Sequence, residues 1–84
     1  MSYEIRFTKQ AAKDVTKLNP KLREKLKSIL RNRIAKDPHQ GKPLVGELAG
    51  YLSVRLSYKD RIVYRVDEDA DLVLVHRART HYGD

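Results

Sequence analysis

The stretch GYLSVRLSYKDRIVYRV, residues 50–66, decides how this chain folds. Leu52, Val54 and Leu56 alternate with Ser53, Arg55 and Ser57. After the turn residues SYKD the pattern resumes, with Ile62, Tyr64 and Val66 on one face and Arg61, Val63 and Arg65 on the other. A period of two residues marks strands buried on one side. So short a turn makes the two strands antiparallel neighbours. A third run, DLVLVHRAR at residues 71–79, is apolar almost throughout and follows the acidic turn DEDAD, which predicts a third strand joined in the same way. The face away from the core then collects Arg55 and Arg61, with Arg79 a further candidate.

Upstream, SYEIRF sets Tyr3, Ile5 and Phe7 on one face and predicts a short first strand. Thr8 is placed to cap a helix over KQAAKDVTKL, where Ala11, Ala12, Val15 and Leu18 recur at helical spacing. Asn19 and Pro20 break that helix and start another, because Asn caps well and Pro fits the first helical position. In KLREKLKSILRNRIAKD, residues 21–37, Leu22, Leu26, Ile29, Leu30, Arg33 and Ile34 follow the spacing of one helical stripe, and Lys21, Arg23, Lys25, Lys27 and Arg31 lie mostly off it. The connection PHQGKPLVGELAGY, with two prolines and three glycines, is too interrupted for regular structure over most of its length. The expected order is β-α-α-β-β-β. This is an α+β domain spanning residues 1–84, with an N-terminal helical hairpin packed on one face of a small, mainly antiparallel sheet.

The net charge is +7, unevenly spread. Residues 1–43 hold twelve Lys and Arg against four Asp and Glu, whereas residues 44–84 hold six against seven. A basic N-terminal half attracts polyanions through phosphate contacts and counterion release. No cysteine is present, so disulfides and thiolate metal sites are excluded. The N-terminus has no apolar leader and no run approaches membrane-spanning length, which predicts a soluble, cytoplasmic protein without a membrane partner.

His39, His76 and His81 lie far apart in sequence without a metal-binding spacing, and no serine occupies a nucleophile elbow. No metal or cofactor is expected. Phosphate chemistry without a metal remains. Cleaving an RNA phosphodiester through its own 2′-hydroxyl takes a base for the 2′ proton, cations for the phosphoryl oxygens and an acid for the leaving 5′ oxygen. Arg55 and Arg61 suit the second role. His81, Tyr82 and Glu47 are of the types that fill the first and third. The plainer readings are solvated strand arginines, a frayed terminus and a turn glutamate paired with a nearby lysine. His76 has the opposite strand parity to His81 and reads as structural. Lys42, Lys59, Lys25 and Lys27 are candidate RNA-binding positions.

GYLSVRLSYKDRIVYRV, preceded by KPLVGELA and followed by RARTHYGD, resembles the RelE/YoeB toxins of bacterial toxin–antitoxin systems, most nearly the YoeB-type branch. The likeness extends over essentially the whole chain, and the terminal His-Tyr is its most telling part. It implies a ribosome-dependent mRNA endonuclease acting in the A site, neutralised by a cognate antitoxin in a complex of heterotetramer size or larger. It implies that Arg61 stabilises the phosphate, that His81 is an acid or base and that Tyr82 orients the substrate or stacks on a base. Arg79 corresponds to a basic residue before that pair, and Arg55 to an arginine on the preceding strand. One position departs from the pattern. The YoeB-type glutamate base would fall at Lys42, and the lysines of the RelE-type branch would fall among Leu52, Ser53 and Val54. Glu47 is the nearest carboxylate; otherwise His81 serves as base, with Arg79 or a water completing proton transfer. The alternative is a ParE-like gyrase poison of the same fold without nuclease activity, against which the terminal His-Tyr argues.

Overall fold

The computed structural model describes residues 2–78. Strand β1 (Glu4–Phe7) leads into helices α1 (Lys9–Lys17) and α2 (Pro20–Ile29), and α2 continues into a wider π-helical turn over Leu30–Ile34. After a 3-10 turn at Pro38–Gln40 come β2 (Lys42–Pro43), a second 3-10 turn at Gly46–Leu48, β3 (Leu52–Arg55), β4 (Arg61–Asp67) and β5 (Leu72–Arg77). The five strands are ordered β1-β5-β4-β3-β2. β1 runs parallel to β5, and the other pairings are antiparallel.

The helix starts follow from their caps. Thr8 Oγ1 accepts from Ala11 N at 3.0 Å and donates to the His76 carbonyl at 3.0 Å, so one hydroxyl starts α1 and ties it to β5. Asn19 Oδ1 accepts from Leu22 N at 2.8 Å, with Pro20 in the first turn of α2. The π-helical turn is closed by a bond from Ala35 N to the Leu30 carbonyl, five residues back. Its extra width brings both Ile34 and Ala35 into the core and turns Arg33 outward to Gln40, where a regular helix would have put Arg33 in the apolar stripe.

The core lies between the helices and one sheet face. Leu26, Ile34, Leu56, Ile62, Tyr64, Val73 and Val75 are each at most 1% exposed, and burying each such side chain contributes roughly 1.5–3 kcal/mol. Tyr64 is the anchor of the long connection. Its hydroxyl donates to the Pro38 carbonyl at 2.6 Å, and burial pushes its pKa to about 12. Gly41 passes so close that a Cβ there would collide with the Tyr64 hydroxyl, which explains a glycine whose backbone needs no left-handed φ.

Two differences from the sequence expectation concern the sheet. β2 lies inside the connection expected to be irregular: Lys42 pairs with Ser53 and Pro43 with Leu52. A two-residue edge strand takes its conformation from its neighbour, so no periodicity announces it. β5 carries a bulge. The register steps from Tyr64 opposite Val75 to Val63 opposite Arg77, leaving His76 as the extra residue.

Candidate functional site

The helices cover one face of the sheet; on the other, Ser53 and Val63 are buried near the middle while Lys42 and Arg55 are exposed at the side. Because antiparallel partners share a face, burial of Leu52, Val54, Leu56, Ile62, Tyr64, Val73 and Val75 against the core assigns the alternate residues to the open side. Arg55 and Arg61 are direct cross-strand partners there, at the end of β3 and the start of β4. Like charges in such positions repel. Neither guanidinium has an ion-pair partner among the described residues. Asp60, next in sequence to Arg61, is buried and engaged in its own turn: Ser57 Oγ donates to its carboxylate at 3.0 Å and accepts from its N–H at 3.1 Å.

The neighbouring positions add cations. Lys42 is opposite Ser53 on β2, so it joins the open face two positions along from Arg55. Lys59 sits in the β3–β4 turn beside the arginine pair, and the adjacent Tyr58 is 89% exposed. Among the described residues the carboxylates of this face, Glu4 and Asp67, are at the far end. Glu4 is opposite Leu72 and bound to Arg6, and Asp67 accepts from the N–H groups of Asp69 and Ala70 in the β4–β5 turn. What remains beside Arg55 and Arg61 is a concentrated positive surface suited to phosphate.

The other sequence candidates fall elsewhere. Glu47 is exposed in the 3-10 turn of the β2–β3 loop, whose ends are closed by a bond from Leu44 N to the Tyr51 carbonyl. That loop adjoins the Tyr51 end of β3, and Arg55 lies four residues away, about 13 Å along the strand. Register thus separates Glu47 from the arginine pair. Lys25 and Lys27 are exposed on α2, in the layer on the opposite side of the sheet, and Lys27 borders a cleft with Ile5, Phe7, Leu30 and Arg31. Arg79, His81 and Tyr82 lie outside the described residues.

Two features escaped the sequence reading. His76 belongs to the open face, since Val73 and Val75 point into the core, and its ring meets that of Tyr51 at 5.0 Å between centroids, tilted by 45°. Counting from the core residues of its own strand would have placed it there. The second is a clasp beneath the end of β5. Asp14 Oδ2 accepts from Arg77 Nε at 2.7 Å and from Ala78 N at 3.2 Å, and Oδ1 accepts from Arg77 at 3.3 Å and Gln10 at 3.3 Å. Burial alone would raise the Asp14 pKa, but these donors outweigh it and hold the carboxyl below its usual range. The sequence signal was a charged residue inside the Ala11–Val15–Leu18 stripe. Glu68 accepts from the Tyr3 hydroxyl at 2.9 Å and pairs with His39, which ties the residue before β1 to the β4–β5 turn. Among the described residues no cluster of three metal-ligating side chains exists, and no helix is long and apolar enough to cross a membrane.

Comparison with known proteins places this geometry in a family. A family model described as the YoeB-like toxin of bacterial type II toxin–antitoxin systems matches residues 7–82. Toxin RelG of Mycobacterium tuberculosis is 35% identical over 78 residues, covering 92% of this chain and 88% of that protein. The toxin–antitoxin complex RelBE2 of Mycobacterium tuberculosis contains a chain with a TM-score of 0.86 and 33% identity, covering 100% of this chain and 95% of that one. A YoeB–YefM complex from Staphylococcus aureus gives a TM-score of 0.69 at 30% identity, covering 98% of this chain and 100% of that one. The α+β arrangement of two helices on a mixed five-stranded sheet is that of these toxins. The chain belongs to the YoeB-like toxins of bacterial type II toxin–antitoxin systems.

Proposed function

We propose that this toxin is a metal-independent endoribonuclease that cuts mRNA in the ribosomal A site and is silenced by a cognate antitoxin. The observation that carries the reading is the Arg55–Arg61 pair, two cations opposed across β3 and β4 with no ion-pair partner among the described residues. Such a pair costs stability in the free protein and gains it when a phosphate lies between the guanidinium groups. In the proposed reaction Arg61 and Arg55 stabilise the charge developing on the phosphoryl oxygens. Lys42 and Lys59 hold the flanking RNA backbone. His81 and Tyr82, with Arg79 before them, complete the site as the resemblance to RelE and YoeB implies, His81 by proton transfer and Tyr82 by orienting the substrate. Lys25 and Lys27, on the other side of the sheet, grip ribosomal RNA by its backbone irrespective of sequence. The antitoxin partner is supported by the related toxins found in RelBE2 and YoeB–YefM complexes.

The test is induction of the wild type beside Arg61→Ala and a truncation after Thr80, with mRNA and chromosome integrity followed together. Wild-type cleavage of translated mRNA, lost in both variants, is the expected result. Growth arrest with intact mRNA and broken chromosomes would instead identify a gyrase poison.

A further inference from the structure

We propose that His76 is the general base of this toxin, accepting the 2′-hydroxyl proton. The inference rests on the nuclease reading and goes beyond it by naming the proton acceptor. It is carried by what the open face holds near the arginine pair. The side chains of Lys42, Lys59, Arg55 and Arg61 offer hydrogen-bond donors and no acceptor, and Tyr51 and Ser53 offer hydroxyls. Glu4 and Asp67 are at the far end, engaged by Arg6 and by turn N–H groups. Asp60 is engaged by Ser57, and Asp14 by Arg77. Among the described residues of this face, His76 is therefore the side chain near Arg61 whose ring offers a nitrogen that accepts a proton.

Its placement fits the task. His76 is the extra residue of the β5 bulge, a feature that re-aims a side chain and recurs next to active sites. One strand over and two positions along from Arg61, its Cα lies about 8 Å from that of Arg61. That is a span which an imidazole and a guanidinium close around one ribose–phosphate unit. Thr8 Oγ1 fixes the His76 carbonyl at 3.0 Å, and Tyr51 packs against the ring at 5.0 Å, so backbone and ring are both held. Among the described residues the charged and titratable groups around it are Tyr51 from β3, Lys42 from β2, Arg61 and Arg65 from β4, Arg77 from β5 and the Glu4–Arg6 pair from β1.

In the proposed step the imidazole takes the 2′ proton as the 2′ oxygen bonds to phosphorus. The bond from phosphorus to the 5′ oxygen breaks, and that oxygen takes a proton from the acid, the role left to His81. The products are a 2′,3′-cyclic phosphate and a 5′-hydroxyl, and protons and electron pairs balance without a further reactant.

The experiment is single-turnover cleavage of mRNA on programmed ribosomes from pH 5.5 to 8.5, for wild type, His76→Ala, His76→Gln and Tyr51→Phe, with thermal unfolding of each. Wild-type cleavage rises with pH along the acidic limb. Both His76 variants lose about 10²-fold or more and lose that limb, with ribosome affinity and melting temperature kept, and added imidazole restores part of the His76→Ala rate. Tyr51→Phe, which keeps the ring against His76, keeps the acidic limb of the wild type. A His76→Ala rate within threefold of wild type, or a reduced rate with the acidic limb intact, overturns the proposal and leaves the nuclease reading standing. A wild type that cuts no mRNA at any pH overturns both.

Discussion

Two sets of arginines on neighbouring strands have opposite fates. Arg77 is bound to the buried carboxylate of Asp14, its charge matched and its geometry fixed on both carboxylate oxygens. Arg55 and Arg61 face each other across β3 and β4 without a neutralising partner among the described residues. The clasp joins α1 to the end of β5, so its role is complete within the fold. The opposed pair has no such match among the described residues. The contrast separates charges that hold the molecule together from charges held ready for a ligand.

The largest expected effect comes from breaking the unmatched pair. Arg61→Ala should lower the cleavage rate by about 10²–10³-fold, the usual cost of removing one donor to a developing negative charge. Its thermal stability should be unchanged or raised by a few tenths of a kcal/mol, because a cross-strand repulsion disappears. Single-turnover cleavage and calorimetry on the same sample check both halves. A loss of activity that merely follows a loss of fold would erase the distinction between the two arginine sets.

Breaking the matched pair should do the reverse. Asp14→Ala removes the carboxylate bonds to Arg77, about one-third exposed, and frees the Ala78 N–H, for a loss of about 1–3 kcal/mol in urea unfolding. The clasp also sets an acid dependence. The Asp14 carboxyl titrates at lower pH in the folded protein than in the unfolded chain. Its contribution is therefore fully present above the usual aspartate range and is lost as pH falls through that range toward the lower folded value. Unfolding curves at pH 7, 4 and 2.5 should show Asp14→Asn losing less stability on acidification than wild type. A smaller effect is expected away from both arginine sets. Tyr64→Phe removes the bond to the Pro38 carbonyl while keeping the ring, and should cost about 1 kcal/mol with cleavage unaffected.

The helical hairpin, its caps at Thr8 and Asn19 and the three long strands were legible in sequence, because each rests on local chemistry or on a period of two or 3.6 residues. The Arg55–Arg61 juxtaposition was legible for the same reason: once the turn between the strands is short, alternation fixes which residues share a face. What was not legible depends on partners distant in sequence. β2 exists because Ser53 and Leu52 offer it an edge, and the parallel pairing of β1 with β5 places Ile5 opposite Val73. The π-helical turn moves Arg33 out of a stripe that sequence spacing put it in. His76 was read against His81, across the bulge and beyond the described residues, when its neighbours Val73 and Val75 were the better reference. Glu47 is nearest to the site along the chain, and its loop adjoins the Tyr51 end of β3 rather than the Arg55 end.

The central claim is that the open face with the unmatched arginines receives the scissile phosphate. The most direct test is a structure of the toxin on a ribosome programmed with mRNA whose reactive 2′-hydroxyl is methylated to block cleavage. The account predicts a phosphate within about 3 Å of the Arg55 and Arg61 guanidinium groups, with Arg77 still bound to Asp14. An mRNA path over the helical layer, or a phosphate held by Arg77 released from Asp14, would contradict it.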